Sequence, residues 1–170
     1  MEVLDAIKLK RAVRTFSSQP IDERELQIIV NAGRRAQSAK NMQPWDFIVI
    51  QKRETLLDLS SMGTYAGHLA GAAAGIVIVT LPPETRFSVM FDAGQSAAYM
   101  QLAAWNLGIG SSLATIYQPE EARRRLNFPE DRVALIALSF GYPADPSEMW
   151  AASRKEGRRS LAEVVHREQW

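Results

Sequence analysis

Four short, β-branched apolar runs constrain the fold of this chain more than any other feature. They cover residues 47–50, 75–80, 111–117 and 132–140. Each run lacks helical periodicity and has the length of a buried strand. Because the segments between them do not follow a strict strand–helix alternation, the pattern predicts an α+β fold with a mixed sheet flanked by helices, rather than a doubly wound fold.

The segment after Pro20 carries the clearest helix-start signal. Asp22 stands at the N-cap with Glu25 three residues later, as in a capping box, and Ile21 and Leu26 can form the hydrophobic staple. Leu26, Ile29, Val30 and Gly33 would form the inner face of this helix. Further helices are predicted over 3–10, 53–61, 65–74, 86–107 and 148–156 and after Pro119, while 161–165 fits a helical turn or a strand.

Composition narrows the class of protein. The 170 residues favour one domain, and the absence of cysteine excludes disulfides, thiol nucleophiles and cysteine-ligated metal centres. A net charge of +1, from 20 basic and 19 acidic residues, argues against nucleic acid as the main partner. The first residues lack a signal-peptide pattern and the longest apolar stretch, 69–81, is too short to span a bilayer, so we expect a cytoplasmic protein without membrane contact.

A compact polar loop lies between the second helix and the first strand. Ser38, Asn41 and Gln43 supply hydrogen-bonding groups, Pro44 stops any helix, and Trp45 begins the apolar run. Such a loop can hold a planar polar ligand. An ordinary connection between a helix and a strand explains the same residues equally well.

Two basic clusters lie far apart in the sequence. Arg11 and Arg14 are three residues apart, so at a helix end they would point to one side and could grip a phosphate. With Lys8 and Lys10 nearby they also fit a solvated face. The pair Arg158-Arg159 is likewise typical of a protein surface.

Other polar residues do not form a recognisable catalytic or metal set. The two histidines, His68 and His166, are far apart without a carboxylate at ligand spacing, so His68 fits a surface or pocket polar group. The two glycines of Gly108-Ile-Gly110 follow a long helix, which indicates a helix C-cap rather than a dinucleotide-binding turn. Asp92 interrupts the long helix as an internal cap or a buried ion-pair partner.

Taken in order, these segments resemble the nitroreductase family of FMN-dependent flavoproteins. The resemblance rests most on the Arg-x-x-Arg-x-Phe pattern of residues 11–16 and the Ser-x-x-Asn-x-Gln-Pro-Trp pattern of residues 38–45. It covers nearly the whole chain through the segments 6–16, 22–36, 38–50, 92–111, 137–143 and 158–165.

The resemblance implies a single FMN-binding domain over residues 1–170 with a mixed, mainly antiparallel sheet flanked by helices. It also implies an intertwined homodimer with two FMN molecules in its interface. By motif match, Arg11 would bind the phosphate and Arg14 would lie near the ribityl chain and pyrimidine edge. Backbone N–H groups of 113–116 would face flavin N5, and the loop would approach from the opposite protomer. The full implied cofactor-binding set is Arg11, Ala12, Arg14, Ser38, Ala39, Asn41, Ala114, Thr115, Ile116, Arg158 and Arg159.

This chain also departs from the family pattern. Gln37 stands where the family often has proline, Ala39 where serine or glycine is common, and Tyr99 near the place of a frequent asparagine. The connection over 81–86 is too short for the lid helix that some members insert, so we expect an open substrate side.

The activity implied by the resemblance is NAD(P)H oxidation coupled to reduction of an electron-poor acceptor such as a nitroaromatic or quinone. FMN would carry the hydride in a ping-pong cycle, with no catalytic side chain and no metal. One alternative is a divergent member that acts as a dehalogenase or dehydrogenase. Another is a flavin-binding protein with little or no NAD(P)H turnover.

Overall fold

The computed structural model describes residues 1–150 and 158–170. Its strands are β1 (Trp45–Ile50), β2 (Ala74–Thr80), β3 (Gly110–Thr115) and β4 (Val133–Gly141). Its α-helices are α1 (Val3–Leu9), α2 (Glu23–Arg34), α3 (Arg53–Ser61), α4 (Ser88–Asn106), α5 (Pro119–Leu126) and α6 (Leu161–Val164). Short 3₁₀ helices cover Ala39–Asn41, Ala66–Gly71 and Pro146–Met149.

The strands form one sheet in the order β1-β2-β4-β3, and each neighbouring pair is antiparallel. An isolated parallel bridge joins Ala12 to Ser111 at the start of β3. All four predicted strands are present, and the predicted α+β class is confirmed. In this order β1 and β3 are the edge strands, so their outer sides are open to contacts from other parts of the molecule.

Hydrophobic residues cover both faces of the sheet. Ile76 and Ile78 of β2 pack in one cluster with residues of α2 and α4, while Val77 and Val79 pack in a second cluster with residues of α3, the 3₁₀ helix Ala66–Gly71 and α5. This division follows from the two-residue period of a strand, which sends alternate side chains to opposite faces. All seven residues of β2 are buried.

The start of α2 forms as the sequence predicts. Asp22 Oδ1 accepts a hydrogen bond from the Glu25 backbone N–H at 2.8 Å, and Glu25 Oε2 accepts one from the Asp22 N–H at 3.2 Å. Leu26, Ile29 and Gly33 are buried on the inner face. The capping box therefore fixes where α2 begins, and the inner face packs against the sheet and α4.

Gly33 permits a close approach between α2 and α4. Ser96 of α4 donates a hydrogen bond to the Gly33 carbonyl at 3.1 Å. A Cβ atom on Gly33 would lie 2.7 Å from Cγ of Met100, well inside van der Waals contact. The absence of a side chain on Gly33 therefore lets the two helices pack closely at this point.

Several predicted boundaries differ from the structure. The helix predicted over 65–74 is a shorter 3₁₀ helix, Ala66–Gly71, followed at Ala74 by β2. Gly108 ends the long helix with φ 78°, as expected for a helix stop. The segment 161–165 contains the short helix α6. The helix predicted over 148–156 falls mainly on residues 151–157, which lie outside the described residues.

The connection from β2 to α4 is short, as the sequence predicts. It runs from Leu81 to Phe87 without a helix of its own. Among residues 1–150 and 158–170, no helix is both long and apolar enough to cross a membrane.

We predict that Gly33→Ala lowers the free energy of unfolding by about 1 kcal/mol, which corresponds to a fall of about 2–4 °C in the thermal midpoint. Overpacking against Met100 costs about 1–3 kcal/mol, and the higher helix propensity of alanine offsets part of it. Calorimetry would measure the change. Arg24→Ala, at an exposed position of the same helix, should shift stability by less than about 0.5 kcal/mol. Equal effects of the two substitutions would contradict the packing role of Gly33.

Candidate functional site

The N-terminal basic motif lies in an extended segment, residues 11–17, that docks on the sheet and is called the docked segment below. The Val13 N–H donates to the Ser111 carbonyl at 3.0 Å, where β3 begins. Further along, the Ser17 N–H donates to the Tyr142 carbonyl at 2.8 Å, just after β4 ends. The segment is therefore fixed at both of its ends against two neighbouring strands.

Two glycines make this docking possible. A Cβ atom on Gly110 would lie 2.6 Å from Cβ of Val13, and one on Gly141 would lie 2.7 Å from the Phe16 ring. Val13 is fully buried in a cluster with Trp105 and Met149. Any larger residue at either glycine would push the segment away from the sheet.

The extended conformation corrects the expected geometry of the two arginines. Helix α1 ends at Leu9, and Lys10 has the non-helical dihedrals φ −57° and ψ 128°. Arg11 and Arg14 therefore do not share a face through helical spacing. Arg11 is half-buried, whereas Arg14 is exposed.

Arg11 lines an open recess of about 500 Å³ that gathers positive charge. The recess is lined by Ile7, Lys8, Leu9, Lys10, Arg11, Ala12 and Arg158. Burial, and then the charge of Arg158, lower the pKa of Lys10 below its ordinary value of 10.5. An anion in the recess would relieve this repulsion between cations, so the recess suits a phosphate group.

The recess unites part of the predicted phosphate-binding set. It brings Arg11 and Ala12 together with Arg158, although almost 150 residues separate them in the sequence. Arg14 is not among the lining residues. Lys10 does line the recess. The sequence indicated only a solvated lysine at this position, because the burial of Lys10 depends on contacts that no local pattern encodes.

Arg159 has a different environment from Arg158. Its guanidinium donates a hydrogen bond to the Glu163 carbonyl at 2.7 Å, and it does not line the recess. Glu163 in turn accepts hydrogen bonds from the N–H and hydroxyl of Ser160. In this chain Arg159 stabilises the turn around α6 instead of extending the basic recess.

The polar loop lies between α2 and β1, as the sequence predicts. Ser38 Oγ accepts a hydrogen bond from the Gln43 N–H at 2.8 Å, which closes the loop on itself. Asn41 is exposed and Trp45 is buried. None of the loop residues lines the basic recess of the same chain.

The outer edge of β3 offers backbone donors beside the docked segment. The Ile116 N–H donates to the Leu135 carbonyl at 2.9 Å and is therefore used within the sheet. Because donors alternate along an antiparallel strand, the N–H of Ala114 also points towards β4 and that of Thr115 points away from it. Among Ala114, Thr115 and Ile116, which the family resemblance implies as flavin contacts, Thr115 is thus the residue whose N–H lies on the outer edge of β3.

The residues just after α3 close the far end of this edge. The Tyr117 N–H donates to the Met62 carbonyl at 2.8 Å. Gly63 lies so near the Thr115 carbonyl that a Cβ atom there would collide with it. These contacts bound a short window of the β3 edge between Ser111 and Thr115.

His68 is buried behind this window rather than on the surface. Its Nδ1 atom lies 2.7 Å from Ser139 Oγ. Burial, followed by the charge of Arg14, lowers the pKa of His68 below its ordinary value of 6.5.

Comparisons with known proteins agree with this architecture. The model of the nitroreductase family matches residues 7–62 and 57–142. A relative from Archaeoglobus fulgidus, provisionally named NADH dehydrogenase/NAD(P)H nitroreductase, is 33% identical, with 99% of each chain covered. The chain belongs to the nitroreductase family.

Solved structures support the fold over the full length. An FMN-dependent nitroreductase from Clostridium difficile is 25% identical with a TM-score of 0.84, covering 98% of this chain and 99% of that one. A second solved structure comes from Bacteroides thetaiotaomicron and is also provisionally named NADH dehydrogenase/NAD(P)H nitroreductase. It is 25% identical, with a TM-score of 0.86, and the match covers 99% of this chain and 98% of that one. The expected nitroreductase-like fold is confirmed.

We predict that Arg158→Gln raises the pKa of Lys10 towards its ordinary value without reaching it, because the burial of Lys10 remains. NMR titration of the lysine side-chain carbons would measure the change. Arg159→Gln is the matched control, since Arg159 lies outside the recess, and it should leave the pKa of Lys10 unchanged. Equal shifts in both variants, or none in either, would contradict the proximity of Lys10 and Arg158.

Proposed function

We propose that this protein is an FMN-dependent NAD(P)H oxidoreductase that reduces electron-poor acceptors such as nitroaromatics and quinones. The observation that carries the proposal is the basic recess lined by Lys8, Lys10, Arg11 and Arg158, whose residue Ala12 forms a bridge with Ser111 at the start of β3. Membership of the nitroreductase family supports the same activity. So do the names of the relatives from Archaeoglobus fulgidus and Clostridium difficile.

The residues of the recess fit the phosphate group of FMN. A phosphomonoester carries close to two negative charges, which the four cationic side chains of the recess can balance. The guanidinium of Arg11 or Arg158 can donate two parallel hydrogen bonds to phosphate oxygens, whereas Lys10 acts as a compact charge. Ala12 brings its backbone to the same wall without a side chain that would obstruct the ligand.

The remaining proposed contacts follow the docked segment away from the recess. Arg14 would lie near the ribityl chain and pyrimidine edge, and the Thr115 N–H would face the flavin at the β3 window. FMN, when bound, supplies the hydride chemistry through its N5 atom. The chain itself binds and orients, and no side chain is required as an acid, a base or a metal ligand.

The proposed assembly is a homodimer in which each chain completes the other's site. Two helices expose large apolar side chains: Val3, Leu4 and Ile7 on α1, and Phe91 and Tyr99 on α4. Because α1 and α4 contact each other, these side chains lie on neighbouring surfaces, as is typical of a protein interface. A second copy would cover these surfaces and bring the partner's Ser38–Trp45 loop, with Ala39 and Asn41, to the flavin.

We place the whole chain, residues 1–170, in a single FMN-binding domain of a cytoplasmic enzyme. NADH or NADPH would reduce the enzyme and leave before the acceptor binds, in a ping-pong cycle. The short connection from Leu81 to Phe87 adds no lid over the site, which favours general reduction of open-access acceptors over the more specialised dehalogenase chemistry.

We predict that purified protein binds FMN, loses the visible absorption of the bound flavin when NADH or NADPH is added under anaerobic conditions, and regains it when a quinone or nitroaromatic is added. Arg11→Gln should raise the dissociation constant of FMN by about 10- to 100-fold, because it removes a charge-assisted contact to phosphate. Fluorescence titration of FMN would measure this change.

Arg24→Gln, an exposed arginine of α2, is the control and should leave FMN affinity unchanged. Protein that is colourless after incubation with FMN and removal of the unbound FMN contradicts the proposal. Yellow protein that dithionite reduces but NAD(P)H does not would instead identify a flavin-binding protein without turnover.

A further inference from the structure

The Ser38–Trp45 loop holds backbone conformations that residues other than glycine rarely adopt. Lys40 and Asn41 both have φ 54°, and Gln43 has φ 47°. Left-handed conformations crowd the Cβ atom of such residues against the following carbonyl. The loop therefore keeps this shape only where surrounding contacts impose it.

Contacts inside the loop account for part of this shape. The Asn41 N–H donates to the Ser38 carbonyl at 2.9 Å, and the Gln43 N–H donates to Ser38 Oγ at 2.8 Å. These contacts close the turn but do not fix where it sits on the protein. Its position requires contacts from other elements.

Asp92 supplies a directed contact from α4. Its Oδ1 atom accepts a hydrogen bond from the Ala39 N–H at 3.1 Å, and Ala39 is the first residue of the 3₁₀ turn that contains Lys40 and Asn41. A carboxylate is a stronger acceptor than a neutral amide or hydroxyl. This hydrogen bond therefore fixes the turn at its first residue, just before the left-handed stretch begins.

The environment of Asp92 is unfavourable for a carboxylate. The residue is only 4% exposed, and its Oδ2 atom is buried without a hydrogen-bond partner among the described residues. Burying a carboxylate oxygen in this way is unfavourable. An apolar residue at this position would avoid the cost but would leave the Ala39 N–H without its acceptor.

We infer that Asp92 is a positioning residue of the flavin site, an inference that rests on the proposed function. It holds the Ser38–Trp45 loop in the left-handed conformation that presents Ser38 and Asn41 to the ligand. Because the loop is proposed to serve the flavin held mainly by the partner, Asp92 acts across the dimer. The inner face of α4 thus anchors the loop, while its outer face carries the exposed Phe91 and Tyr99.

Asp92→Ala and Asp92→Asn test this inference against the control Ser96→Ala. Ser96 is buried one turn further along α4, and its hydrogen bond goes to Gly33 rather than to the loop. Three properties would be measured: the dissociation constant of FMN, the midpoint potential of the bound flavin, and the hydrogen exchange of the Ala39 amide in the FMN-free protein.

We expect Asp92→Ala to weaken FMN binding by about 10- to 100-fold, to shift the midpoint potential, and to accelerate Ala39 exchange by at least about tenfold. Asp92→Asn should restore part of the affinity, because its amide oxygen can still accept from Ala39. Ser96→Ala should lower the thermal midpoint and leave the FMN affinity, the potential and the Ala39 exchange near their wild-type values.

Other outcomes would overturn the inference. If Asp92→Ala binds FMN as tightly as wild type, or if Ser96→Ala weakens binding equally, Asp92 does not position the loop, while the proposed function stands. Wild-type protein that does not bind FMN removes the proposed function itself. The wild-type titration therefore separates the two failures.

Discussion

The contact between Val13 and Gly110 is the constraint on which the candidate site depends. Without a side chain on Gly110, the extended segment after α1 can lie against the start of β3, and Gly141 allows the same at Phe16. This docking sends Val13 into the core and leaves Arg11 at the recess. The sheet thereby fixes the backbone of the basic motif. A basic motif on a flexible segment would not hold its side chains in one position.

Helix α4 links the other parts of the site. On its inner side α4 packs against Gly33 of α2, and the carboxylate of Asp92 accepts a hydrogen bond from the Ala39 N–H. On its outer side it exposes an apolar surface that suits a second copy of the chain. No residue of the polar loop lines the basic recess of the same chain, and the proposed dimer through this helix offers a way to unite them.

The sequence predicts those parts of the fold whose causes are local. Short β-branched runs without helical periodicity locate the strands, and the capping box from Asp22 to Glu25 locates the start of α2. The extended conformation after Lys10, the burial of His68 and the different roles of Arg158 and Arg159 depend on contacts between distant segments. Only the resemblance to a family could associate Arg158 with Arg11, because no local pattern encodes that proximity.

The central claim is that one flavin is held by the arginine of one chain and the loop of its partner, and a mixed dimer tests it most directly. Chains carrying Arg11→Gln and chains carrying Asn41→Ala would be co-expressed with different tags, and heterodimers would be purified through both tags. A site shared between chains leaves one intact site, so the heterodimer should hold one tightly bound FMN while both variant homodimers hold none. A heterodimer without tightly bound FMN would contradict the claim.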